Sequence, residues 1–184
     1  MTPGTQRALM EDDMTAETMT KFKVFWAWQD EQEEVWLREM ANQGWHLSSV
    51  RLPGIYRFRR GEPRDVAYRL DFTTERKEKY QEYLQLFRDA GWEHVGKMGS
   101  WQYFRKAAAA GEEPQIYTDP ESKIQKYRRL LGALIAIMPV YIVLLIAPPF
   151  DEFSAVAAVF MLFFAVAILK LTQRINELKR TRDL

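Results

Sequence analysis

Cysteine is absent from the chain, and histidine is scarce. Without cysteine there is no disulfide framework, thiolate nucleophile, zinc ribbon or iron–sulfur site. The two histidines, His46 and His94, leave little material for a metal site, so we expect neither a metal nor a cofactor. No glycine-rich phosphate loop follows a predicted strand, and the motifs Gly-x-Ser-x-Gly and His-Glu-x-x-His do not occur. We therefore expect no catalytic residues and no enzymatic activity.

An excess of positive charge is also lacking. The 184 residues include 26 basic and 25 acidic side chains, and residues 1–120 carry 17 basic against 20 acidic. A domain that tracks the phosphates of a nucleic acid normally shows the reverse, so we expect no nucleic-acid partner. Residues 1–20 hold Glu11, Asp12 and Asp13 and no apolar run, which is unlike a signal peptide and predicts a flexible polar tail.

Two runs rich in apolar residues stand in the C-terminal third of the chain. Leu130–Ala147 has 16 apolar residues out of 18, and Phe153–Leu171 has 17 out of 19. A helix of 18 residues rises about 27 Å, close to the roughly 30 Å hydrocarbon thickness of a bilayer. Two buried core helices are the alternative, but the remaining 147 residues are too few to enclose them. Residues 120–184 are therefore predicted to form a transmembrane hairpin, with spans at about 130–147 and 153–171 and a turn at Pro148–Glu152.

Basic residues flank both outer ends of this hairpin, whereas its turn carries only Asp151 and Glu152. The positive-inside rule then places both termini and the polar part of the chain in the cytoplasm, at the inner (cell) membrane. The lipid bilayer is thus the first predicted partner. The membrane-flanking basic residues are Lys123, Lys126, Arg128, Arg129, Lys170, Arg174, Lys179, Arg180 and Arg182.

Neither predicted span contains an ionisable residue before Lys170. Ion and proton pathways are usually marked by buried charges, so an anchor or a dimerisation element is favoured over a transporter. The acidic and proline residues around Pro120 predict a helix start there, after a linker at 107–119. The apolar stripe within Leu171–Leu178 packs either on the start of this helix or on a second copy, so a homo-oligomer is one predicted assembly.

Residues 21–106 are predicted to form one cytoplasmic domain that contains an internal repeat with an offset of 47 residues. The segment Trp36–Trp45 aligns with Tyr83–Trp92, with aromatic on aromatic, leucine on leucine and Gly-Trp on Gly-Trp. Each segment has the apolar spacing of a helix that stops at its glycine, Gly44 or Gly91.

Strand-like runs surround each predicted helix. The repeats cover about residues 22–60 and 66–106, and each has the order strand–helix–strand–strand. This order predicts an α+β fold: a duplicated β-α-β-β sandwich, ferredoxin-like, with an antiparallel sheet and two helices on one face. The predicted strands are Phe22–Trp28, Trp45–Val50, Ile55–Arg60, Val66–Phe72, Trp92–Met98 and Trp101–Lys106.

Aromatic residues are frequent outside the spans, where all six tryptophans lie. They have two interpretations: a small core that uses large rings to bury enough area, or a ligand pocket between the two helices with carboxylates as polar anchors. Such a pocket would bind a small lipophilic or cationic molecule. The candidates are Trp26, Trp28, Glu33, Glu34, Trp45, Tyr56, Tyr68, Trp92, Glu93, Trp101 and Tyr103.

Seven short motifs follow one another along residues 22–106: Glu33–Leu37, Met40-Ala41, Gly44–Leu47, Tyr56–Phe58, Tyr68–Asp71, Ala90–Glu93 and Tyr103–Lys106. Their order resembles the bacterial family catalogued as domain of unknown function 2812, many members of which carry a membrane hairpin. The resemblance implies a membrane-tethered protein, often encoded beside a PadR-like transcriptional regulator. It carries over no catalytic or ligand-binding residue. The order of elements is also similar to GyrI-like small-molecule-binding domains, at the level of fold alone.

Two functions remain open from the sequence. The first is a non-catalytic regulatory or ligand-sensing module, anchored at the inner face of the membrane, that passes its state along the helix at Pro120–Arg129 and acts with a PadR-like regulator. The alternative is a structural or interaction protein that tethers a partner, either a regulator or a membrane protein, to the membrane.

Overall fold

The computed structural model describes residues 17–75, 77–108, 120–146 and 154–182. Most of the predicted tail, most of the predicted linker and the whole predicted turn at Pro148–Glu152 lie outside these residues. The chain forms two units. The polar unit comprises Met1–Phe25, Glu31–Leu70 and Glu75–Pro114, and the hairpin unit comprises Trp26–Asp30, Asp71–Thr74 and Gln115–Leu184.

Three strands and one helix make up the first half of the β-containing region. The strands β1 (Thr18–Phe22), β2 (Trp45–Arg51) and β3 (Ile55–Arg60) form an antiparallel sheet in the order β1-β3-β2. The helix α1 (Asp30–Asn42) connects β1 to β2.

The second half has the same order of elements. The strands β4 (Val66–Phe72), β5 (Glu93–Met98) and β6 (Trp101–Ala107) form a sheet in the order β4-β6-β5, with α2 (Lys77–Asp89) between β4 and β5. The predicted α+β fold, with strand–helix–strand–strand in each half, is confirmed.

The strands of the described residues form two sheets and not one continuous sheet. Cα atoms of β2 and β5 approach within 8 Å, so these two outer strands are neighbours. Each carries a bulge: the register shifts between Leu47 and Ser49 in β2, and between His94 and Gly96 in β5, 47 residues further along. A bulge interrupts a ladder and increases its local twist, and among the described strands no ladder joins β2 to β5.

The first strand lies earlier in the chain than the aromatic pattern predicts. β1 pairs with β3 as far as Phe22, opposite Ile55, the first residue of β3. Beyond this pair, Lys23 N donates to Gly54 O at 2.9 Å, in the turn that precedes β3, so no partner strand continues. The predicted strand at Phe22–Trp28 is therefore wrong beyond Phe22.

Large rings fill the core of the polar unit. Trp36 of α1 meets the rings of Tyr56 and Phe58 edge-on, with centroids 5.0 and 5.7 Å apart. In the second half, Phe87 of α2 stacks on Phe104 of β6 at 4.2 Å. The core around α1 comprises Leu37, Met40, Ala41, Leu47, Val50, Tyr56, Phe58, Val66, Tyr68, Leu70 and Tyr103.

Both helices of this fold stop at a glycine in the left-handed conformation. The φ angles of Gly44 and Gly91 are 81° and 80°. Gly91 N donates to Arg88 O and Trp92 N donates to Phe87 O, both at 2.9 Å, which is the bond pair of a Schellman ending. The predicted helix stops are confirmed.

Two long helices, α3 (Pro120–Ile146) and α4 (Ser154–Arg182), pack against each other in the hairpin unit. Among the described residues, the first of these helices begins at Pro120. Their windows Glu121–Leu144 and Ala155–Arg180 are long and apolar enough to cross a membrane. Few residues in either window are buried, whereas a core helix of a soluble protein is mostly buried. The buried residues include Ile124, Tyr127, Leu130, Leu171 and Ile175.

Candidate functional site

A buried carboxylate lies in the core of the polar unit. Glu33 of α1 is 4% exposed, and its Oε1 accepts hydrogen bonds from the hydroxyls of Tyr56 and Tyr103, each at 2.6 Å. The two tyrosines stand 47 residues apart, at matching positions of β3 and β6. Burial and, after it, the charge of Glu33 raise the pKa of both tyrosines, so each stays a neutral donor. One acid of α1 therefore binds both sheets.

The adjacent acid, Glu34, fixes β4. Its Oε1 accepts from Leu70 N at 2.8 Å, and its Oε2 lies 3.4 Å from Arg69 Nη1. On the same strand, the hydroxyl of Tyr68 accepts from Leu47 N at 3.2 Å, and burial raises the pKa of Tyr68. The position of β4 thus depends on α1 and on β2.

An open cleft of about 670 Å³ lies in the polar unit, lined by residues of β2 and β5 and by the ends of β3 and β6. Its lining includes five basic and two acidic side chains, so the cleft is net positive. The charged residues are Arg59, Arg60, Arg64, Arg105, Lys106, Glu62 and Glu93.

Arg105 of β6 links the two halves at the cleft. Its Nε and Nη2 donate to the two carboxylate oxygens of Glu93 at 2.8 and 2.6 Å, and its Nη1 lies 3.5 Å from Leu47 O of β2. The hydrogen bonds that Arg105 donates to Glu93 raise the pKa of Arg105. This guanidinium is a fixed positive charge where the halves meet.

Two cations of the cleft lining each lie over a tryptophan ring. The guanidinium of Arg60 is 4.9 Å from the ring centroid of Trp45, and the ammonium of Lys106 is 5.8 Å from that of Trp92. Lys106 also donates to Ala90 O at 2.9 Å. These contacts hold the two cations in position while leaving donors for a ligand, because an ammonium has three N–H groups and a guanidinium five.

The two histidines also line the cleft. His46 Nε2 lies 2.8 Å from Glu62 O, and His94 Nε2 lies 3.1 Å from Gln102 Oε1. Burial lowers the pKa of His94, which favours the neutral ring. Within the described residues, no group of three His, Asp or Glu side chains could hold a metal ion.

A second polar cluster, within the hairpin unit, joins Asp30 to α3. Lys126 Nζ lies 2.5 Å from Asp30 Oδ2, and both side chains are 3% exposed. The hydroxyl of Tyr127 donates to the same carboxylate, at 3.1 and 3.2 Å from its two oxygens. This buried ion pair lies at the start of the apolar window of α3.

An ion pair one helical turn further along α3 engages the end of β4. Arg129 Nη2 lies 3.1 Å from Asp71 Oδ1, and Arg129 Nε donates to Phe72 O at 3.0 Å. Asp71 is 2% exposed, and the side chain of Arg129 is 39% exposed. Together the two clusters place Asp30, Asp71 and Phe72, which belong to the hairpin unit, in contact with α3.

The residues proposed from the sequence for an aromatic pocket occupy three places. Those in the hydrogen-bonded core are Glu33, Glu34, Tyr56, Tyr68 and Tyr103. Glu93 lines the cleft, and Trp45 and Trp92 contact the cleft cations Arg60 and Lys106. Trp101 packs partly buried against the core. Trp26 and Trp28 belong to the hairpin unit.

The basic residues predicted to flank the membrane also differ in their surroundings. Lys126 is buried against Asp30. Lys170 and Arg180 are exposed, and Lys123 and Lys179 are half-buried. Ion pairs engage Arg128 with Glu121, Arg129 with Asp71 and Arg174 with Glu177, and the side chain of Arg182 lies outside the described part of the chain.

Sequence reasoning missed the cations of the cleft and the acids that pair with α3. A signal for the cleft was present: Arg59 and Lys106 stand 47 residues apart, so the two halves place a cation at matching positions. No comparable signal marks Asp30 and Asp71, because their partners lie far along the chain.

The model of one protein family matches residues 29–138, more than half of the chain. That family is described as Protein of unknown function (DUF2812). The match begins beside Asp30 and ends within α3, so it includes both polar clusters. No curated protein and no solved structure matches the chain significantly.

Proposed function

The chain belongs to the DUF2812 family, and from its own side chains we propose that it is a membrane-anchored, non-catalytic module that senses a small molecule. The observation that carries the proposal is the buried ion pair between Asp30, the first residue of α1, and Lys126 of α3. α3 continues from Lys126 through a window that is apolar enough to cross a membrane. The deepest acid of the polar unit, Glu33, accepts hydrogen bonds from two core tyrosines, which favours a structural over a catalytic role.

Two elements offer a route from the cleft to α3. β4 carries Tyr68, which accepts from the cleft residue Leu47, and three residues later Asp71, which pairs with Arg129. α1 carries Glu33 three residues after Asp30. The route follows the continuity of the chain, because Tyr68 and Asp71 lie on one strand and Asp30 and Glu33 lie on one helix.

The cleft favours a small anion. Its volume of about 670 Å³ lies within the usual range of small-molecule sites, and its charged lining is net positive. Arginine donors match carboxylate and phosphate oxygens in a bidentate geometry. A lipophilic cation, the ligand expected from the aromatic content, would need the aromatic side chains to surround a cavity, whereas Tyr56, Tyr68 and Tyr103 are packed at 0% exposure.

Measuring the binding of small anions and of a lipophilic cation tests whether the cleft takes an anion. The full chain in lipid nanodiscs is titrated by calorimetry with pyrophosphate, with citrate and with tetraphenylphosphonium. We expect an anion to bind, and Arg59→Gln with Lys106→Gln to weaken it about tenfold or more, equivalent to about 1.4 kcal/mol. The control Lys97→Gln changes an exposed residue of β5 outside the cleft. Binding of the cation alone, or equal anion binding in all variants, would refute the proposal.

The proposed location is the inner membrane, crossed twice, with both termini in the cytoplasm. Support comes from the two apolar windows and from the exposed cations Lys170 and Arg180 at the end of α4. Because the chain has no cysteine, maleimide labelling of a single-cysteine variant shows on which side of the membrane that one position lies. In intact cells an impermeant maleimide should label Asp151→Cys, in the predicted turn, and should leave Glu78→Cys of α2 unlabelled until lysis. The opposite pattern would reverse the orientation.

The receiver of the signal in this proposal is a protein partner, and the family resemblance favours a PadR-like regulator. In the alternative function, the chain is a tether that holds a partner protein at the membrane. A tether also needs the membrane anchor and the partner, but it does not bind a ligand in the cleft. Cross-linking in cells followed by mass spectrometry separates the two. For a sensor, replacing Arg59 and Lys106 by glutamine should change which partner protein is cross-linked. For a tether, the same partner should be cross-linked in equal amount.

A further inference from the structure

The chain leaves its two short helices, α1 and α2, along the same path. The glycines that end them, Gly44 and Gly91, have φ angles of 81° and 80°, and each is followed by a tryptophan, Trp45 or Trp92. Both glycines line or adjoin residues of the cleft, because Gly91 and the residue after Trp45, His46, belong to its lining. Each half of the polar unit therefore brings one helix end to the cleft.

A cation occupies the same place beside each helix end. The guanidinium of Arg60 lies 4.9 Å from the ring centroid of Trp45, and its Nη1 donates to Gln43 O at 3.0 Å. In the second half, the ammonium of Lys106 lies 5.8 Å from the ring centroid of the matching tryptophan, and it donates to Ala90 O at 2.9 Å. In both halves the acceptor is the carbonyl of the residue that precedes the glycine.

The pairing of the strands also gives the two cations equivalent positions. Arg60 lies opposite Trp45 in the ladder of β2 and β3. In the ladder of β5 and β6, Arg105 lies opposite Glu93. Lys106 follows Arg105, so it comes beside the residue that precedes Glu93, which is the second tryptophan. Lys106 is therefore the counterpart of Arg60 in the fold.

The two acids of the cleft lining are paired with other basic residues. Glu62 pairs with Arg64 at 3.0 Å, and Glu93 pairs with Arg105 at 2.6 Å. By contrast, no carboxylate of the described residues forms an ion pair with either cation that lies over a tryptophan ring. Both cations line the cleft, so their charges are available there to an anion.

We propose that the cleft binds a ligand with two anionic groups, carboxylates or phosphates, of which Arg60 binds one and Lys106 binds the other. The inference rests on the anion binding proposed above and specifies its ligand class. A ligand held at both ends binds more tightly than one held at a single end, because its second contact forms within the complex. It would also join β3 to β6, one strand from each half.

Comparing dianions with monoanions of the same length tests this inference. The full chain in lipid nanodiscs is titrated by calorimetry with alkane dicarboxylates and alkane bisphosphonates of increasing chain length, each acid group at one end of the chain. Every dianion is compared with the monoacid of equal length. We expect at least one dianion to bind about tenfold or more tightly than its matched monoanion.

Substitutions show whether both cations are needed. Arg60→Gln and Lys106→Gln should each remove the advantage of the dianion, whereas Arg60→Lys and Lys106→Arg keep the charge and should retain most of it. The matched control Lys97→Gln changes an exposed residue of β5 outside the cleft and should leave the advantage unchanged. Thermal melts check that each variant is folded, because both cations also contact helix-end carbonyls.

The outcomes separate failure of this inference from failure of the proposed function. Anions that bind with equal affinity whether they carry one charged group or two would overturn the inference alone, a result that the unaltered chain can give without any variant. No binding of any anion would overturn the proposed ligand class and the inference together. A dianion advantage that persists in either folded glutamine variant would show that the cations only cap their helices, and would also overturn the inference.

Discussion

Replacing Asp30 by asparagine tests the buried ion pair most directly. The change keeps the shape of the side chain but leaves the ammonium of Lys126 charged at a site where it is 3% exposed. Removing one partner of a buried pair usually costs about 3–5 kcal/mol, because the remaining charge has lost its counter-charge and cannot reach water. For a chain of this length, 1 kcal/mol shifts Tm by about 2–4 °C, so we expect a fall of about 6–20 °C.

A matched control is Arg128, which lies two residues after Lys126 on α3. Arg128 pairs with Glu121 at 3.2 Å, with side chains 51% and 41% exposed. Such exposed pairs are worth about 0–1 kcal/mol, so Arg128→Gln should lower Tm by less than about 4 °C. Both variants are melted in the same detergent and followed by circular dichroism at 222 nm.

A double variant distinguishes a lost charge pair from general damage. Asp30→Asn with Lys126→Met leaves no ionised group at the buried site, so it should be more stable than Asp30→Asn alone. A double variant at least as unstable as the sum of the two single variants would refute the reasoning. So would an Asp30→Asn variant that melts within about 2 °C of Arg128→Gln.

Three further predictions concern the polar unit. Tyr103→Phe removes one donor to buried Glu33 and should cost about 1.5–3 kcal/mol, measured by thermal melting; an unchanged Tm would show that this bond adds no stability. Because burial lowers the pKa of His94, its contribution to stability is present above the unfolded value of about 6.5 and is lost as pH falls through the lower folded value. Melts from pH 7.5 to 5.0 should show this loss, and His94→Gln should lessen it; equal slopes would contradict the assignment. Gly91→Ala places a Cβ at φ 80° and should cost about 1–2 kcal/mol, while a neutral result would mean that the turn relaxes.

Local rules explain what the sequence could predict. The helix stops at Gly44 and Gly91 follow from the φ that the chain must adopt there, and the buried face of α1 follows from its apolar spacing. The windows of α3 and α4 follow from length and composition. Each of these features is decided by residues within a few turns of one another, so one sequence contains the necessary information.

Contacts between distant residues explain what the sequence could not predict. Asp30 and Lys126 are 96 positions apart, and an acid at a helix start has an adequate local explanation in the helix dipole. Lys126 likewise satisfies the positive-inside pattern, although its charge is neutralised inside the protein. The end of β1 was misjudged for the same reason, because the length of its partner β3 decides it.

The two halves share their tyrosines but not their acid, and this asymmetry bears on how the polar unit folds. Tyr56 and Tyr103 stand at matching positions, yet both donate to Glu33, whereas the position that matches Glu33 in the second half is Tyr80, which donates to Gln102 at 2.7 Å. An isolated first half would keep the buried acid and lose one of its two tyrosine donors, at a cost of about 1.5–3 kcal/mol. That is a large part of the stability of so small a fold. The halves are therefore expected to fold as one cooperative unit, which is the condition for a ligand between β2 and β5 to be felt at α1.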